Sequence, residues 1–319
     1  MAIVLLGQNL LQSNLLLALI LVSIFNFVML IASLILEIDK LHVSLPVSVI
    51  TIILPVFTLS LHFHFRQVLV FTYTLLWALY MLTSITIKHF LSPRDSMFEK
   101  IRTSTPKSAL IVVYLALLSF IYSLPVLIVS SIRSEMQPAF HGLDVIGSIF
   151  FTLGFLLETS STAQLLIHKQ RHRNSKTVPI LNTQLWKYNR HPNHVGHVLA
   201  WWGIFLQAAP ALFEWEWLLV LVPLFIHANV LFGAGIPISE RSLKHRYGST
   251  EEYKNYMNQT SRYFVKFHST HKTPTKHKNQ PDRSKKPHQT QSKSMQMTYT
   301  IPTSPSFSVD FEGSGISSQ

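Results

Sequence analysis

The densest group of polar side chains in this sequence lies between residues 185 and 197, just ahead of an apolar stretch. Lys187, Arg190, His191 and Asn193 stand together at what we predict is the start of a helix. The free backbone N–H groups and the dipole at a helix start already favour an anion, and these side chains add further donors. The segment therefore predicts a site for a phosphate or a carboxylate. Composition alone leaves open a plainer interpretation, in which the cations anchor the chain at a membrane surface and the following tryptophans are interfacial.

Two further features of the sequence could carry chemistry. Glu158 interrupts an otherwise uncharged run, and a carboxylate inside an apolar span is costly unless it has a partner, so it is a functional hypothesis by default. His191, His194 and His197 are spaced three apart, which raises the question of a metal site. On a helix, residues three apart share a face but residues six apart diverge, and no nearby acid or cysteine completes a tetrahedral set. We therefore expect no metal site.

The elements that must position these residues are membrane spans. The chain is 48% hydrophobic and only 13% charged, whereas a soluble domain carries about a quarter of its residues as charges. Uncharged or nearly uncharged runs approach the roughly 20 residues that a spanning helix needs. They are 15–36, 43–61, 67–87, 108–131, 145–167, 198–213 and 215–238. The sequence thus predicts an all-α, polytopic membrane bundle with about seven transmembrane helices.

The lysines and arginines predict the orientation of this bundle. They concentrate in the segments 88–107 and 169–190 and in the tail, whereas the loops on the other side hold only Arg66 and Arg133. Cytoplasmic loops carry the excess of these residues. We therefore expect a luminal N-terminus and a cytoplasmic C-terminus. The family resemblance described below implies residence in the endoplasmic reticulum.

The last segment, 266–319, consists mainly of Lys, His, Ser, Thr, Gln and Pro and cannot bury enough apolar surface to fold. We expect a transmembrane domain over 1–265 followed by a disordered basic tail. The tail lysines could attract anionic lipid headgroups at about 1 kcal/mol each, and a solvated tail without a partner is an equal alternative. Loops and tail account for the net charge of +12, so we expect no nucleic-acid partner. No span carries a series of ionisable residues, which disfavours a channel or transporter.

The order of residues adds a resemblance to a known family. Leu-Trp-x-Tyr-x-Arg-His-Pro-Asn-x-x-Gly runs from Leu185 to Gly196, with Trp201-Trp202-Gly203 close behind. Matching positions occur on both sides of this motif, and they are Leu143 to Gly147, Gly154, Phe155, Glu158 and Gln164 before it, and Pro237, Glu240, Arg241, Tyr253, Tyr256, Thr260, Ser261 and Phe264 after it. Over 144–264 the chain resembles the DUF1295 group, relatives of the steroid 5-alpha-reductases.

This resemblance implies a reductase that uses NADPH from the cytoplasmic side to reduce a conjugated carbon–carbon double bond in a steroid-like or other lipid. It implies catalytic roles for Glu158 and His197. It also implies a cofactor pocket, which would be lined by Tyr188, Arg190, His191, Asn193, Gln164, Glu240, Arg241 and Tyr256. NADPH is a polyanion that needs cations and amide donors, and the acceptor needs a proton donor as hydride arrives.

The sequence also departs from the family pattern. His197 stands where the family has glutamate and His194 where it has an aromatic residue, while Thr162 replaces an acid. Tyr80 and Met97 stand where the family pattern has two arginines. These losses leave a weakened or silent relative open. Isoprenylcysteine carboxyl methyltransferases share the Arg-His-Pro-x-x-x-Gly element and a later Glu, Tyr, Tyr segment, so S-adenosylmethionine is an alternative cofactor. A non-catalytic membrane scaffold of the same fold is a third interpretation.

Overall fold

The computed structural model describes residues 44–58, 64–91, 105–132, 138–172 and 179–263, together with some helical positions between 16 and 28. Within these ranges the chain is helical apart from its connections, and one isolated parallel bridge pairs Asn189 with Ser261. This confirms the all-α fold. Most of the predicted run 15–36, Met97 and the tail from 266 onward lie outside the described residues.

Nine helices are present among the described residues. They are α1 (Ser44–Thr58), α2 (Phe65–Leu91), α3 (Thr105–Ser131), α4 (Gly142–Arg171), a single turn α5 (Leu185–Tyr188), α6 (Pro192–Ala208), α7 (Leu221–Phe232), α8 (Ile236–Tyr247) and α9 (Glu251–Gln259). Two 3₁₀ segments, Ala209–Ala211 and Glu214–Val220, connect α6 to α7.

Within the part of the chain that the structure describes, four segments are long and apolar enough to cross a bilayer, and α1 is a shorter apolar helix. The four are Phe65–Lys88, Val113–Ser131, Gly142–Arg171 and Glu214–Tyr247. One face of α4 leaves large apolar side chains exposed, among them Val145, Ile149, Leu153 and Leu156. A helix that exposes such a face needs an apolar solvent. These features fit an integral membrane protein, while the count of seven spans stays a prediction.

Two predicted spans differ in detail from the helices that form. The run 198–213 belongs to α6, whose 17 residues rise about 26 Å. The 3₁₀ turn Ala209–Ala211 adds about 6 Å, which brings the segment close to the thickness of the hydrocarbon core. The run 215–238 is interrupted after α7, because Gly233 ends that helix and Pro237 lies in the first turn of α8.

The closest helix pair is α4 with α6, which run antiparallel with their backbones in contact. Gly147 and Gly154 on α4 face Gly203 and Gly196 on α6. A Cβ atom on Gly154 would lie 2.3 Å from the backbone nitrogen of Ala200, which no side chain tolerates. Small residues allow this close approach between membrane helices. The glycines therefore bring the polar side chains of α4 and α6 within hydrogen-bond distance of each other.

A buried ion pair fixes one end of this helix pair. The guanidinium of Arg66 donates to both carboxylate oxygens of Asp144, each at 2.7 Å, and neither side chain is more than 1% exposed. The same guanidinium donates to the backbone carbonyls of Pro138 and Ala139, and the Gln207 amide donates to Asp144 at 3.1 Å. A buried pair needs such further hydrogen bonds to offset its desolvation. Four segments of the chain thus meet at one point.

Candidate active site

The polar centre of the bundle consists of Glu158, His197 and Tyr122, which we call the buried triad. Nδ1 of His197 lies 3.1 Å from Oε1 of Glu158, and Nε2 of the same ring lies 2.9 Å from the hydroxyl of Tyr122. The three residues are 5–7% exposed. The imidazole therefore connects a carboxyl group to a phenol inside the membrane bundle, an arrangement that can pass a proton from one to the other.

Four helices bring the triad together. Glu158 lies on α4 and His197 on α6, where Gly196 contacts the backbone of Glu158 directly. Tyr122 comes from α3. The indole of Trp77, on α2, stacks on Tyr122 with ring centroids 4.6 Å apart. Its Nε1 lies 3.2 Å from Nδ1 of His197. The ring of His197 is thus held from three sides.

One atom of the triad lacks a partner. Oε2 of Glu158 is buried and accepts no hydrogen bond from the described residues. Tyr80 reaches the backbone carbonyl of Glu158 at 3.2 Å and leaves the carboxyl oxygen uncontacted. A buried polar atom without a partner is rare in proteins and marks a position where a substrate or a water can bind.

A second polar group, the charged cradle, consists of Arg190, His191 and Glu240. Oε1 of Glu240 lies 2.7 Å from Nε2 of His191, and Oε2 lies 3.2 Å from Nη1 of Arg190. The sulfur of Met257 also contacts Nη1 of Arg190. The Arg190 side chain is only 10% exposed. One carboxylate from α8 therefore holds both basic residues that precede α6.

Local sequence explains how the cradle residues are presented. The side-chain oxygen of Asn189 accepts the backbone N–H of His191 at 2.6 Å, which forms a tight turn of the kind that Asn favours. Pro192 then occupies the first turn of α6, where its missing N–H costs nothing. The turn and the helix start together orient His191 and Arg190 toward Glu240.

The last described residues bind the turn at Asn189 through hydrogen bonds. We call residues 256–263 the closing strap. The Tyr256 hydroxyl donates to the Trp186 carbonyl at 3.1 Å, and the Arg190 backbone N–H donates to the Ser261 carbonyl at 2.9 Å. Asn189 donates from its amide to the carbonyl of Tyr263. Burial raises the pKa of Tyr256 well above its usual value, so its phenol stays protonated and remains a donor.

Three buried polar atoms near the cradle have no partner among the described residues. They are Nε of Arg190, Oδ1 of Asn193 and Oε1 of Gln164. Asn193 and His197 lie four residues apart on α6, so they share a helix face. His191 and His197 are separated by six residues, which is about 9 Å along the axis. The charged cradle and the buried triad are therefore two neighbouring parts of one polar region.

Residues 29–260 match a family described as "Protein of unknown function (DUF1295)", and this range covers most of the chain. The chain belongs to the DUF1295 family. The match confirms the resemblance to the DUF1295 group, while kinship with the steroid 5-alpha-reductases stays a prediction. No curated protein and no solved structure matches the chain.

This DUF1295 chain brings most of its predicted site residues together. Glu158 pairs with His197, and Arg190 and His191 pair with Glu240, while Tyr256 supports the turn beside them. Two predicted residues point away from the site. Tyr188 is half exposed and contacts Lys187, and Arg241 is exposed on α8. Asn193 and Gln164 are near the site but have an unpartnered side-chain oxygen each.

Sequence reasoning did not identify three residues that the structure places in the site. Tyr122 is the far end of the buried triad, Trp77 contacts His197, and Asn189 shapes the turn before α6. Tyr122 and Trp77 lie in apolar runs, where aromatic residues are ordinary, so no local signal marks their roles. Asn189 stood within the family-like motif itself.

Proposed function

We propose that this protein is a membrane oxidoreductase that uses NADPH to reduce a carbon–carbon double bond in a steroid-like or other lipid. The observation that carries the proposal is the buried triad, in which a carboxyl group, an imidazole and a phenol are linked within 3.1 Å at each step. A chain of this kind has no structural need in an apolar bundle, where burying ionisable groups is expensive.

The residues of the polar region fit the proposed cofactor. A pyridine dinucleotide carries phosphates, which need donors, and a carboxamide, whose amino group needs acceptors. Nε of Arg190 is a buried donor without a partner, and Oδ1 of Asn193 and Oε1 of Gln164 are acceptors without partners. Arg190 supplies a cationic group and His191 an imidazole, with Arg262 acting on Glu240 from the closing strap. Bound there, NADPH would supply the hydride.

The buried triad would supply the other half of the reduction. Adding two hydrogens across a double bond breaks the π bond and forms two C–H bonds, one from a hydride and one from a proton. In our proposal the Tyr122 hydroxyl delivers that proton and regains one from Nε2 of His197, while Glu158 restores the proton of the imidazole. Positioned proton transfer of this kind contributes about 10²–10⁴-fold to rate.

The substrate would reach the triad from the lipid phase. The outer face of α4 is apolar and exposed along most of its length, whereas the face toward α6 carries the polar residues. A lipid that enters between helices would meet the aromatic side chains Trp77 and Tyr122 beside the donor. We extend the proposal to a luminal N-terminus, a cytoplasmic cradle and residence in the endoplasmic reticulum, which tags at both ends test by protease protection.

Thermal unfolding of the detergent-purified full chain tests the proposed cofactor. We expect NADPH to raise the melting temperature, since a ligand at 100 times its Kd stabilises the folded state by about 2.7 kcal/mol. Stabilisation by S-adenosylmethionine and not by NADPH would replace the proposal with a methyltransferase. Stabilisation by neither would leave a non-catalytic scaffold.

Two variants test whether the rise in melting temperature with NADPH comes from binding at the cradle. Arg190→Lys keeps the charge but loses the planar fork and its unpartnered Nε, so it should reduce the NADPH shift sharply. Lys254→Gln is the matched control, because Lys254 is exposed and, of the residues described, pairs only with Glu251 on its own helix. If NADPH raised the melting temperature of both variants equally, NADPH would not bind at the cradle.

A further inference from the structure

Two side chains compete for one nitrogen of His197. The indole N–H of Trp77 lies 3.2 Å from Nδ1, and Oε1 of Glu158 lies 3.1 Å from the same atom. An indole can only donate, whereas an ionised carboxylate can only accept. Nδ1 either carries a proton or offers a lone pair, so it cannot serve Trp77 and an ionised Glu158 together.

This competition leaves two arrangements of protons. In the first, Nδ1–H donates to ionised Glu158, the Trp77 N–H has no acceptor, and Nε2 accepts from Tyr122. In the second, Glu158 is protonated, the single lone pair of Nδ1 is shared between the Trp77 N–H and the Glu158 O–H, and Nε2–H donates to Tyr122 at 2.9 Å. The second arrangement satisfies the indole and leaves every group neutral.

The surroundings favour the neutral arrangement. Glu158, His197, Trp77 and Tyr122 are all less than 10% exposed, and a charge in such a site costs free energy unless it is fully partnered. The carboxyl group is not fully partnered, since Oε2 of Glu158 has no donor among the described residues. Among the described residues, the other ionisable groups that interact with the triad are Tyr80 and Lys88 on α2, Tyr114 on α3 and His194 on α6.

We propose that Trp77 is a positioning residue that keeps Nδ1 of His197 as an acceptor and so places the ring proton on Nε2, facing Tyr122. This inference rests on the proposed function for its catalytic meaning. When Tyr122 accepts from Nε2–H, its own hydrogen is free to point at a substrate. When Tyr122 instead donates to Nε2, that hydrogen is already engaged. Trp77 would therefore hold the triad ready to deliver a proton.

Nitrogen-15 NMR of the detergent-purified full chain, labelled at histidine, measures the tautomer directly. The His197 signal is assigned by its loss in His197→Gln, since the chain has 16 histidines. We expect an unprotonated Nδ1 and a protonated Nε2 in the wild type. A protonated Nδ1 would overturn the proposal without any further variant.

Trp77→Phe then removes the donor and keeps an aromatic ring. Losing one hydrogen bond of ordinary strength should shift the tautomer ratio by about fivefold toward Nδ1–H. Trp201→Phe is the matched control, because Trp201 packs against the same rings but its buried N–H has no partner among the described residues. An unchanged ratio in Trp77→Phe, or an equal change in Trp201→Phe, would contradict the role of Trp77.

Kinetics separate this inference from the proposed function. If both hold, Trp77→Phe lowers kcat and leaves the Kd for NADPH unchanged, because the cradle is about 9 Å away along α6. If NADPH fails to bind the wild type, the proposed function fails while the tautomer measurement still decides the role of Trp77.

Discussion

At the scale of single residues, the site depends on groups that are buried and only partly satisfied. Glu158 uses one carboxyl oxygen toward His197, and the other has no partner within the described ranges. Arg190 likewise binds Glu240 through Nη1 and leaves Nε unused. Natural proteins satisfy nearly all buried polar atoms, so exceptions that cluster in one region indicate where a ligand completes the hydrogen bonding.

Replacing Glu158 by Gln should separate catalysis from cofactor binding. Gln keeps the size of the side chain and cannot pass a proton, so we expect turnover to fall by about 10²–10⁴-fold. The Kd for NADPH should stay within about twofold, because the carboxyl group lies beyond the cradle by more than a helical turn. Steady-state kinetics and a fluorescence titration of NADPH measure the two quantities.

Glu216→Gln provides the control for that change. Glu216 is a second carboxylate in an apolar segment. Its partner in the described part of the chain is the backbone N–H of Phe213, at the far end of the bundle from the cradle. It should leave turnover unchanged. Equal losses in the two variants would mean that Glu158 acts through stability and not through proton transfer.

Site residues could be predicted from sequence where a charged side chain lies within or beside an apolar run. Glu158 stood out because a carboxylate interrupts an apolar run, and Arg190 because a cationic motif precedes one. Tyr122 and Trp77 did not, since aromatic residues are ordinary in apolar helices. Their role comes from contacts with residues 75 and 120 positions away along the chain, which no local pattern encodes.

At the scale of helices, the glycines between α4 and α6 decide whether the site forms. Gly154→Ala would place a Cβ atom 2.3 Å from the backbone of α6, so the helices must separate. We expect a loss of at least about 1–3 kcal/mol in stability, the usual cost of overpacking. Chemical denaturation in detergent micelles measures it.

Gly142→Ala is the matched control for the glycine contact. A Cβ atom at Gly142 meets no atom within 4 Å, and the residue lies in the first turn of the same helix. It should leave stability unchanged or slightly raised. Similar losses in the two variants would show that the backbone contact with α6 does not determine the outcome.

Helix boundaries were less predictable than the existence of the helices. The apolar runs at 67–87 and 108–131 became α2 and α3 with few changes, because hydropathy alone specifies them. The run 215–238 did not stay continuous, since Gly233 and Pro237 end one helix and start the next. The closing strap was visible in sequence only as a family-like segment, and its function in holding the turn at Asn189 depends on tertiary contacts.

At the scale of the whole molecule, separate groups of buried polar side chains hold distant segments of the chain together. The pair of Arg66 and Asp144 joins α2, α4 and the preceding loop, with Gln207 of α6 attached. Arg66 was predicted only as one of two cations on the luminal side. Its partner could not be inferred, because 78 residues separate the two along the chain.

Breaking this pair from either side should destabilise the fold strongly. Arg66→Met and Asp144→Leu each leave one buried charge without its partner, which costs about 3–5 kcal/mol. The double variant should lose clearly less than the sum of the two, since no charge remains buried. Denaturation of the four proteins in a double-mutant cycle measures the coupling.

The exposed pair of Lys254 and Glu251 serves as the reference for that cycle. Both side chains are more than half exposed, so Glu251→Gln should produce no measurable loss. Additive effects of the Arg66 and Asp144 substitutions would contradict the view that this pair anchors the bundle.

The central claim is that the buried triad and the charged cradle form one reductase site, and an isotope measurement tests it most directly. Purified protein is incubated with membrane lipid extract and NADPH carrying deuterium at the transferred position of its nicotinamide. The lipids are then analysed by mass spectrometry. We predict a lipid that gains one deuterium with the wild type and none with Glu158→Gln. A wild-type protein that binds NADPH yet labels no lipid would contradict the claim, as would lipid labelling from methyl-labelled S-adenosylmethionine alone.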